Sequence, residues 1–302
     1  MSYTLNTGAK IPAIGLGTFL STPEEVYGAV KEALATGYRH IDTAYFYDNE
    51  EAIGRAVKDS GIPRSEIFIT TKLWSTQHQN PQKALDDALK ALNTDYIDLY
   101  LIHWPVAFDT TNGNDKFIPK RADGSWAIDP SVDFVDTYAK LQELDPSKVK
   151  AIGVSNFSIT NLERLLSAPS TKVTPAANQV EIHPLLPQEE LIKYCKAKNI
   201  QIEAYCPLGS ANSPLLDNPV LAKLGEKYGV PPATIMISWA LWREYVVLPK
   251  SVNPQRIKSN FEVVKLSDED GETINNISKT EGIKRIVDPP FGVKVYDDNT
   301  AY

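Results

Sequence analysis

The chain has 302 residues, of which 42% are hydrophobic and 23% charged, and this composition is typical of a globular protein with an ordinary apolar core. The formal net charge of -7 argues against a nucleic-acid partner, because basic residues are not in excess. Cys195 and Cys206 are the only cysteines and lack metal-type spacing, so neither a disulfide scaffold nor a metal site is expected. With no signal-peptide pattern and no long apolar run, we expect a cytoplasmic protein.

Short apolar runs alternate with amphipathic stretches along the chain. Near the N-terminus, the stretch "YTLNTGAKIP" at 3–12 predicts a β-hairpin that turns at Thr7-Gly8. The strands predicted after it lie at 13–15, 40–42, 67–72, 97–103, 151–155, 177–181, 201–205 and 246–249. The helices predicted between them lie at 23–36, 49–59, 81–92, 132–144, 159–167, 187–198 and 231–243. About eight strand–helix alternations predict an α/β fold of the (β/α)₈ TIM-barrel type, with the hairpin as a plug at its bottom.

No linker or low-complexity tract interrupts the pattern, so a single domain is predicted over residues 1–302. Two stretches, 106–130 and 278–302, are long and show no clear periodicity. Long irregular loops in a compact domain are usually functional, and we expect these two to surround the opening of the barrel. The alternative is that they are surface connections without a direct role.

Polar or ionisable side chains stand at the ends of nearly all the predicted strands. In a (β/α)₈ barrel these ends meet at one face, which holds the active site. One polar strand end has an ordinary explanation, since every strand must leave the core. A series with complementary chemistry indicates a site, and its members are Asp42, Lys72, His103, Ser155, Asn156, Gln179, Glu181, Tyr205 and Lys250.

Four residues of this region would together protonate an oxygen atom. A phenol such as Tyr47, with a pKa of about 10, is a poor acid at neutral pH. An ammonium at Lys72 would stabilise its phenolate, and a carboxylate at Asp42 would hold that ammonium. An imidazole at His103 would orient a carbonyl oxygen. Each residue taken alone also fits a helix cap, a solvent-reaching lysine, a packing tyrosine or a core histidine.

A hydride for such a reaction would come from a nicotinamide cofactor. The stretch "GLGTFL" at 15–20 is a weak dinucleotide fingerprint, because its third glycine is missing. In "LPKSVNPQRIKSNF" at 248–261, Lys250 and Arg256 flank a helix start, which suits a phosphate monoester and favours NADP over NAD. The apolar substrate pocket near His103 is predicted to be lined by Phe19, Trp74 and Trp104.

The motifs together resemble the aldo-keto reductase superfamily over nearly the whole chain, and most closely its yeast NADPH-dependent glycerol dehydrogenase and ketone reductase branch. They are "GYRHIDTAYFYDNE", "TTKLW", "DLYLIHWP", "GVSNF", "NQVEIHPLLPQ", "YCPLGS" and "LPKSVNPQRI". The resemblance implies a barrel without a Rossmann domain. It implies Tyr47 as the general acid, Asp42 and Lys72 as the residues that tune it, and His103 as the residue that orients the carbonyl.

The same resemblance implies the cofactor contacts. Ser155, Asn156 and Gln179 would hold the carboxamide, and Tyr205 would stack on the nicotinamide. The remaining predicted contacts are Leu208 and Ser210 along the pyrophosphate, Lys250, Ser251, Asn253 and Arg256 at the 2′-phosphate, Asn260 at the adenine, and Thr18, Asp42 and Val252. Phe19 replaces a frequent tryptophan and reshapes the pocket, whereas Asn253 replaces a frequent threonine, so weaker use of NADH is expected beside NADPH.

The leading hypothesis is an NADPH-dependent reductase of aldehydes and ketones. One alternative is a glycerol or polyol dehydrogenase that works in the oxidative direction, with the same catalytic groups. Another is a cofactor-binding regulatory or structural protein, against which the complete four-residue set argues. We expect a small-molecule carbonyl or alcohol substrate, no nucleic-acid or membrane partner, and a monomer or weak dimer.

Overall fold

The computed structural model describes residues 1–111, 115–210 and 213–297. Its N-terminal hairpin closes one end of a barrel. Strand β1 (Ser2–Thr4) pairs antiparallel with β2 (Lys10–Pro12). Gly8 has a φ of 86°, and its N–H bonds Leu5 O at 2.9 Å, so the turn uses the left-handed conformation that glycine adopts without cost. Leu5 and Ile11 pack against Phe68 and Leu99 inside the barrel, which confirms the predicted plug.

Eight parallel strands of the described chain form the barrel, each paired with the next. They are β3 (Leu16–Gly17), β4 (His40–Asp42), β5 (Phe68–Leu73), β6 (Leu99–Ile102), β7 (Ile152–Ser155), β8 (Ala177–Glu181), β9 (Gln201–Tyr205) and β10 (Val246–Val247). The first and last strands close the ring, since Gly15 N–H donates to Val247 O and Val247 N–H to Ala13 O, both at 2.9 Å. The predicted (β/α)₈ fold is therefore confirmed.

Helices surround the strands and pack on them through one apolar core. They are α1 (Pro23–Thr36), α2 (Glu50–Asp59), α3 (Pro81–Ala91), α4 (Phe134–Leu141), α5 (Ile159–Ser167), α6 (Glu189–Ala197), α7 (Pro219–Tyr228), α8 (Pro232–Trp242), α9 (Pro254–Phe261), α10 (Asp268–Asn275) and α11 (Ile277–Glu281). Helix α1 begins with Thr22 and Glu25 capping each other's backbone N–H groups, which satisfies donors that have no partner within the helix. No helix of the described residues is long and apolar enough to cross a membrane.

The structure changes some of the predicted bounds. The strand predicted at 13–15 is wrong: Ile14 makes a single bridge to Val247, and β3 follows at Leu16–Gly17. Gly15 lies directly against neighbouring side chains, since a Cβ there would lie 2.7 Å from Leu248 Cδ2 and 2.8 Å from His40 Nδ1. A glycine in a strand pattern often marks such a close approach, where regular pairing is interrupted. Helices α7, α10 and α11 were not predicted, because their acidic or interrupted patterns lack a broad apolar face.

The two long irregular segments both pack over the carboxyl ends of the strands. Val106, Phe108, Phe291 and Val295 form one apolar cluster with Trp104 and their neighbours. Single bridges, Phe108 with Ile128 and Lys120 with Trp126, order the first segment. Residues 112–114 and 298–302 of the predicted segments lie outside the described residues. The placement supports the predicted position of these segments around the barrel opening.

Two helical glycines provide a matched test of the packing that holds α2 in place. A Cβ at Gly54 would lie 2.4 Å from Leu92 O, whereas one at Gly28 meets nothing within 4 Å. We expect Gly54→Ala to lose about 1–3 kcal/mol of unfolding free energy by overpacking. Gly28→Ala should gain up to about 1 kcal/mol from helix propensity. Urea titrations measure both, and equal shifts of the two variants would contradict the close approach of α2 to α3.

Candidate active site

Lys72 lies at the centre of the predicted catalytic group. Its Nζ contacts Asp42 Oδ1 and Oδ2 at 2.9 Å and Thr43 O at 2.8 Å, and it lies 3.3 Å from the Tyr47 hydroxyl. The ammonium is fully buried. Burial opposes the charged form, but Asp42 and Tyr47 outweigh it and the pKa of Lys72 is raised. The lysine is therefore a buried, fully bonded cation directly beneath the phenol.

Tyr47 is presented by a 3₁₀ turn, Tyr45–Tyr47, that follows β4. Asn49 fixes this loop, because its Nδ2 donates to Thr18 O at 3.0 Å and to Ser21 O at 3.2 Å. Burial raises the pKa of Tyr47, and Lys72 opposes that rise. Lys72 therefore favours the phenolate, but desolvation is the larger effect and the pKa of Tyr47 lies above its ordinary value.

His103 follows β6 and faces Tyr47, with ring centroids 5.7 Å apart. Its backbone N–H bonds Leu73 O at 3.0 Å, which holds the imidazole at the strand end. Its Nδ1 is buried and makes no hydrogen bond within the described residues. Burial, with Lys72 nearby, holds the pKa of His103 well below its ordinary value. The imidazole is therefore neutral, and one ring nitrogen must donate and the other accept.

Aromatic side chains form the wall beside His103 and Tyr47. Phe19 is 43% exposed and lies 5.0 Å from the Tyr47 ring, so it stands at the rim. Trp74 is buried, 5.0 Å from the His103 ring, and stacks on Phe46 at 4.0 Å. The structure thus brings Phe19 and Trp74 to the predicted pocket.

Trp104 is also buried, and its ring stacks near His103 at 6.4 Å while its other neighbours are Phe291 and Tyr296 of the C-terminal tail. It supports the tail more than it lines the space above Tyr47.

The residues predicted to hold nicotinamide lie on neighbouring strands. Tyr205 donates its hydroxyl to Asn156 Oδ1 at 2.8 Å, and Asn156 Nδ2 donates to His103 O at 3.0 Å. Ser155 Oγ donates to Gln179 O at 2.8 Å. Gln179 Nε2 donates to Asp42 Oδ1 at 2.8 Å. These contacts join the predicted cofactor residues directly to the predicted catalytic ones.

Four further predicted contacts lie along this face. Thr18 is buried and donates Oγ to Asp42 O at 2.9 Å. Leu208 and Val252 are half-buried against the core, and exposed Ser210 hydrogen-bonds the Cys206 thiol.

The predicted phosphate group lies at the beginning of α9. Asn253 caps this helix by accepting from Arg256 N–H at 3.0 Å, and Ser251 Oγ accepts from Asn253 N–H at 3.1 Å. Lys250 Nζ bonds Leu20 O at 3.1 Å, and β3 connects it to the catalytic end through a Gly17–Lys250 bridge. Asn260 is buried one helical turn further on.

These residues fit an NADP molecule. Among the described residues, the exposed Arg256 guanidinium has no hydrogen bond or ion pair. Burial lowers the pKa of Lys250, Glu25 opposes this, and the nearby Arg256 adds to the lowering. Two neighbouring cations at a helix N-terminus are the donor set of a phosphate site. At the other end, both hydrogens of Gln179 Nε2 point to carboxyl oxygens. The amide oxygen is therefore left to accept from a carboxamide.

The C-terminal tail is attached to the end of β8 by one acid. Glu181 Oε1 accepts from Ile286 N–H, and Oε2 from Val287 N–H, both at 2.8 Å. His183 Nε2 lies 2.8 Å from Oε1. Tyr296 continues the tail, with its hydroxyl on Val287 O at 3.0 Å. The tail that covers Trp104 is thus held by a buried side chain of the barrel itself.

Three residues of the candidate site were not predicted from the sequence. Phe46 and Asn49 stand in the quoted "DTAYFYDNE" motif, but aromatic and amide residues in a loop carry no strong signal of their own. Glu203 is fully buried in β9. Its signal was an acid in the middle of an apolar strand, two positions before Tyr205 and therefore on the same side of the sheet.

The protein is a (β/α)₈ barrel that holds a buried network of Asp42, Lys72 and Tyr47 and has two cations, Lys250 and Arg256, near the start of α9. The model of the Aldo/keto reductase family matches residues 13–279. The chain is 56% identical to "Glycerol 2-dehydrogenase (NADP(+))" of Saccharomyces cerevisiae, over 96% of each chain. It is 54% identical to "Aldehyde reductase YPR1" of the same yeast, over 95% of this chain and 94% of that one.

A solved structure agrees with these relatives. The aldose reductase of Schistosoma japonicum superposes with a TM-score of 0.91 at 36% identity, over 100% of both chains. The chain belongs to the Aldo/keto reductase family.

Glu181 gives a direct test of the tail attachment. Removing its carboxyl in Glu181→Ala leaves two backbone N–H groups without acceptors, and hydrogen bonds to a charged group contribute about 1.5–3 kcal/mol each. We expect faster hydrogen exchange in residues 284–297 and a higher KM for bulky carbonyl substrates, with an NADPH Kd within about threefold of wild type. Glu189→Ala, which removes an exposed acid paired with Arg243, is the control. Unchanged exchange in the tail would contradict the attachment.

Proposed function

We propose that this member of the Aldo/keto reductase family reduces aldehydes and ketones with NADPH, and that Tyr47 is the proton donor. One observation carries the assignment: the buried Lys72 ammonium contacts both Asp42 and the Tyr47 hydroxyl. When bound, NADPH would supply the hydride to the carbonyl carbon. Lys250, Ser251, Asn253 and Arg256 would hold its 2′-phosphate, and Ser155, Asn156 and Gln179 its carboxamide.

The side chains of this protein would complete the reaction at the carbonyl oxygen. His103 would donate one hydrogen bond to that oxygen, because its ring is neutral and lies beside Tyr47, with ring centroids 5.7 Å apart. Tyr47 would give up its hydroxyl proton as the oxygen gains charge. Lys72 would stabilise the resulting phenolate from 3.3 Å, and Asp42 would keep Lys72 charged and in place.

The oxidation of an alcohol is the second candidate, because the same groups work in reverse. Tyr47 as phenolate would then accept the hydroxyl proton of a glycerol-like polyol. The yeast relative named glycerol 2-dehydrogenase supports this direction. A polar rim would favour such a substrate, whereas Phe19, Phe46 and Trp74 make the wall of this site aromatic. We therefore favour carbonyl reduction and keep polyol oxidation as the alternative.

The composition of the chain bears on its cellular setting. The acidic net charge, the two free cysteines and the absence of a spanning helix among the described residues support a cytoplasmic protein without a nucleic-acid partner. A single domain over residues 1–302, acting as a monomer or weak dimer on a small carbonyl or alcohol, completes the proposal.

Replacing Tyr47 tests the proton donor. Tyr47→Phe keeps the ring but removes the proton, so kcat should fall by a factor of about 10² or more, the usual contribution of general acid catalysis. Single-turnover oxidation of bound NADPH measures the step, and fluorescence titration should give an NADPH Kd within about threefold of wild type. Tyr45→Phe, in the same 3₁₀ turn, is the control. Near-normal turnover of Tyr47→Phe would place the acid elsewhere.

Replacing Arg256 tests the phosphate site. Charge-assisted bonds contribute about 1.5–3 kcal/mol, so Arg256→Ala should weaken NADPH binding about tenfold or more and leave the weaker NADH binding nearly unchanged. Lys258→Ala is the matched control, since Lys258 is a cation of the same helix that pairs with Glu32 at 3.2 Å. Equal affinity of the wild-type protein for the two cofactors would refute this assignment.

A further inference from the structure

A second buried acid, Glu203, lies beside the catalytic network. Its side chain is fully buried, and β9 places it in register with Gln179 of β8 and Val246 of β10. Oε2 lies 3.4 Å from Gln179 Nε2. Oε1 has no hydrogen-bond partner within the described residues, and His40 Nε2 is 3.9 Å away. None of the roles derived above uses this carboxyl group.

The charges around Glu203 do not balance if it is ionised. The facing groups are Asp42 and His40 from β4, Lys72 from β5, the amide of Gln179 from β8, and apolar Val246 from β10. Lys72 is the cation among them and is already matched by Asp42. Burial lowers the pKa of His40 to about 3, so His40 is neutral. An ionised Glu203 would leave a net negative charge in a dry interior, which is strongly unfavourable.

The pKa of Glu203 agrees with this charge count. Burial raises it to about 8, and Asp42 adds to the rise. The carboxyl group is therefore protonated at neutral pH and loses its proton under mildly alkaline conditions. Gln179 transmits that change, because the two hydrogens of its Nε2 serve Asp42 at 2.8 Å and Glu203 at 3.4 Å.

We propose that Glu203 is a positioning residue whose proton keeps a further carboxylate charge away from Asp42 and Lys72 beneath Tyr47, so that losing this proton slows hydride transfer at alkaline pH. The proposal rests on Tyr47 as the proton donor. An ionised Glu203 accepts more strongly from its own hydrogen of Gln179 Nε2, which pulls the amide toward β9 and lengthens the bond to Asp42. It also adds a negative charge below the phenol. Both effects raise the pKa of Tyr47 and make it a weaker acid. The rate of carbonyl reduction therefore falls as pH rises through the Glu203 pKa.

The test is the pH profile of single-turnover NADPH oxidation at saturating aldehyde, between about pH 6 and about pH 10. In wild type we expect the rate to fall at least about threefold around pH 8. Glu203→Gln keeps an acceptor for Gln179 and cannot ionise, so its rate should be within about threefold of wild type near pH 6 and should lose the decline around pH 8. The same decline in Glu203→Gln would overturn the proposal.

Glu50 offers a matched control. Its buried carboxyl accepts from Thr71 Oγ at 2.6 Å, and burial raises its pKa to about 7, but no bond joins it to Gln179 or Asp42 among the described residues. Glu50→Gln should keep the wild-type profile. A profile that changes in both variants alike would also overturn the proposal, because it would assign the effect to any buried acid near Lys72.

Infrared difference spectroscopy of wild type provides a measurement that needs no folded Glu203 variant. The carbonyl stretch of a protonated carboxyl group should be present near about pH 7 and disappear by about pH 9, and it should persist in Glu50→Gln. Absence of this band would refute a protonated Glu203. Failure of the proposed function is separate, since it appears as retained turnover in Tyr47→Phe whatever the pH profile of Glu203→Gln.

Discussion

The buried ion pair of Lys72 and Asp42 is the interaction on which the rest of the site depends. Bringing two charges out of water costs several kcal/mol for each ion, and only complete bonding offsets that cost. Both oxygens of Asp42, the carbonyl of Thr43 and the hydroxyl of Tyr47 surround the ammonium. Because these groups come from β4, β5 and the loop after β4, the pair requires the barrel to close in this register. The geometry of the proposed catalytic group therefore depends on the same strand register that forms the barrel.

The tail and the long loop after β6 serve the same pair by covering the aromatic wall beside it. Phe291 and Val295 pack on Trp104 and Phe108, while Glu181 holds the tail at two backbone N–H groups. A drier pocket strengthens each electrostatic interaction inside it, and this would include the hydrogen bond proposed for His103. In the proposed function, segments with irregular structure would shape the substrate pocket, and groups at the ends of rigid strands would carry the proton transfer.

Sequence patterns predicted the parts of this arrangement that repeat. Alternating strands and helices gave the barrel, and polar strand ends placed Asp42, Lys72, His103 and Gln179 on one face. A predicted strand was wrong where a glycine packs directly against neighbouring side chains, as at Gly15. The balance of opposing effects could not be predicted, since the pKa of Tyr47 depends on burial that only the packed structure defines. Glu203 was not predicted, because the role of an acid inside an apolar strand depends on neighbours that only the folded structure shows.

Charges at the start of α9 are exposed to solvent, whereas those around Lys72 are buried. Arg256 is exposed and Lys250 only partly covered, so salt and water screen their attraction for a phosphate. Around Lys72 the charges are buried and little screened, so the loss of the Glu203 proton would change the electrostatic balance around Asp42 and Lys72. Binding strength can therefore vary with the residues at the start of α9 without disturbing the chemistry. The proposed reacting end would be more sensitive to substitution, because Asp42, which holds Lys72, is bonded to Gln179, and Gln179 in turn to Glu203.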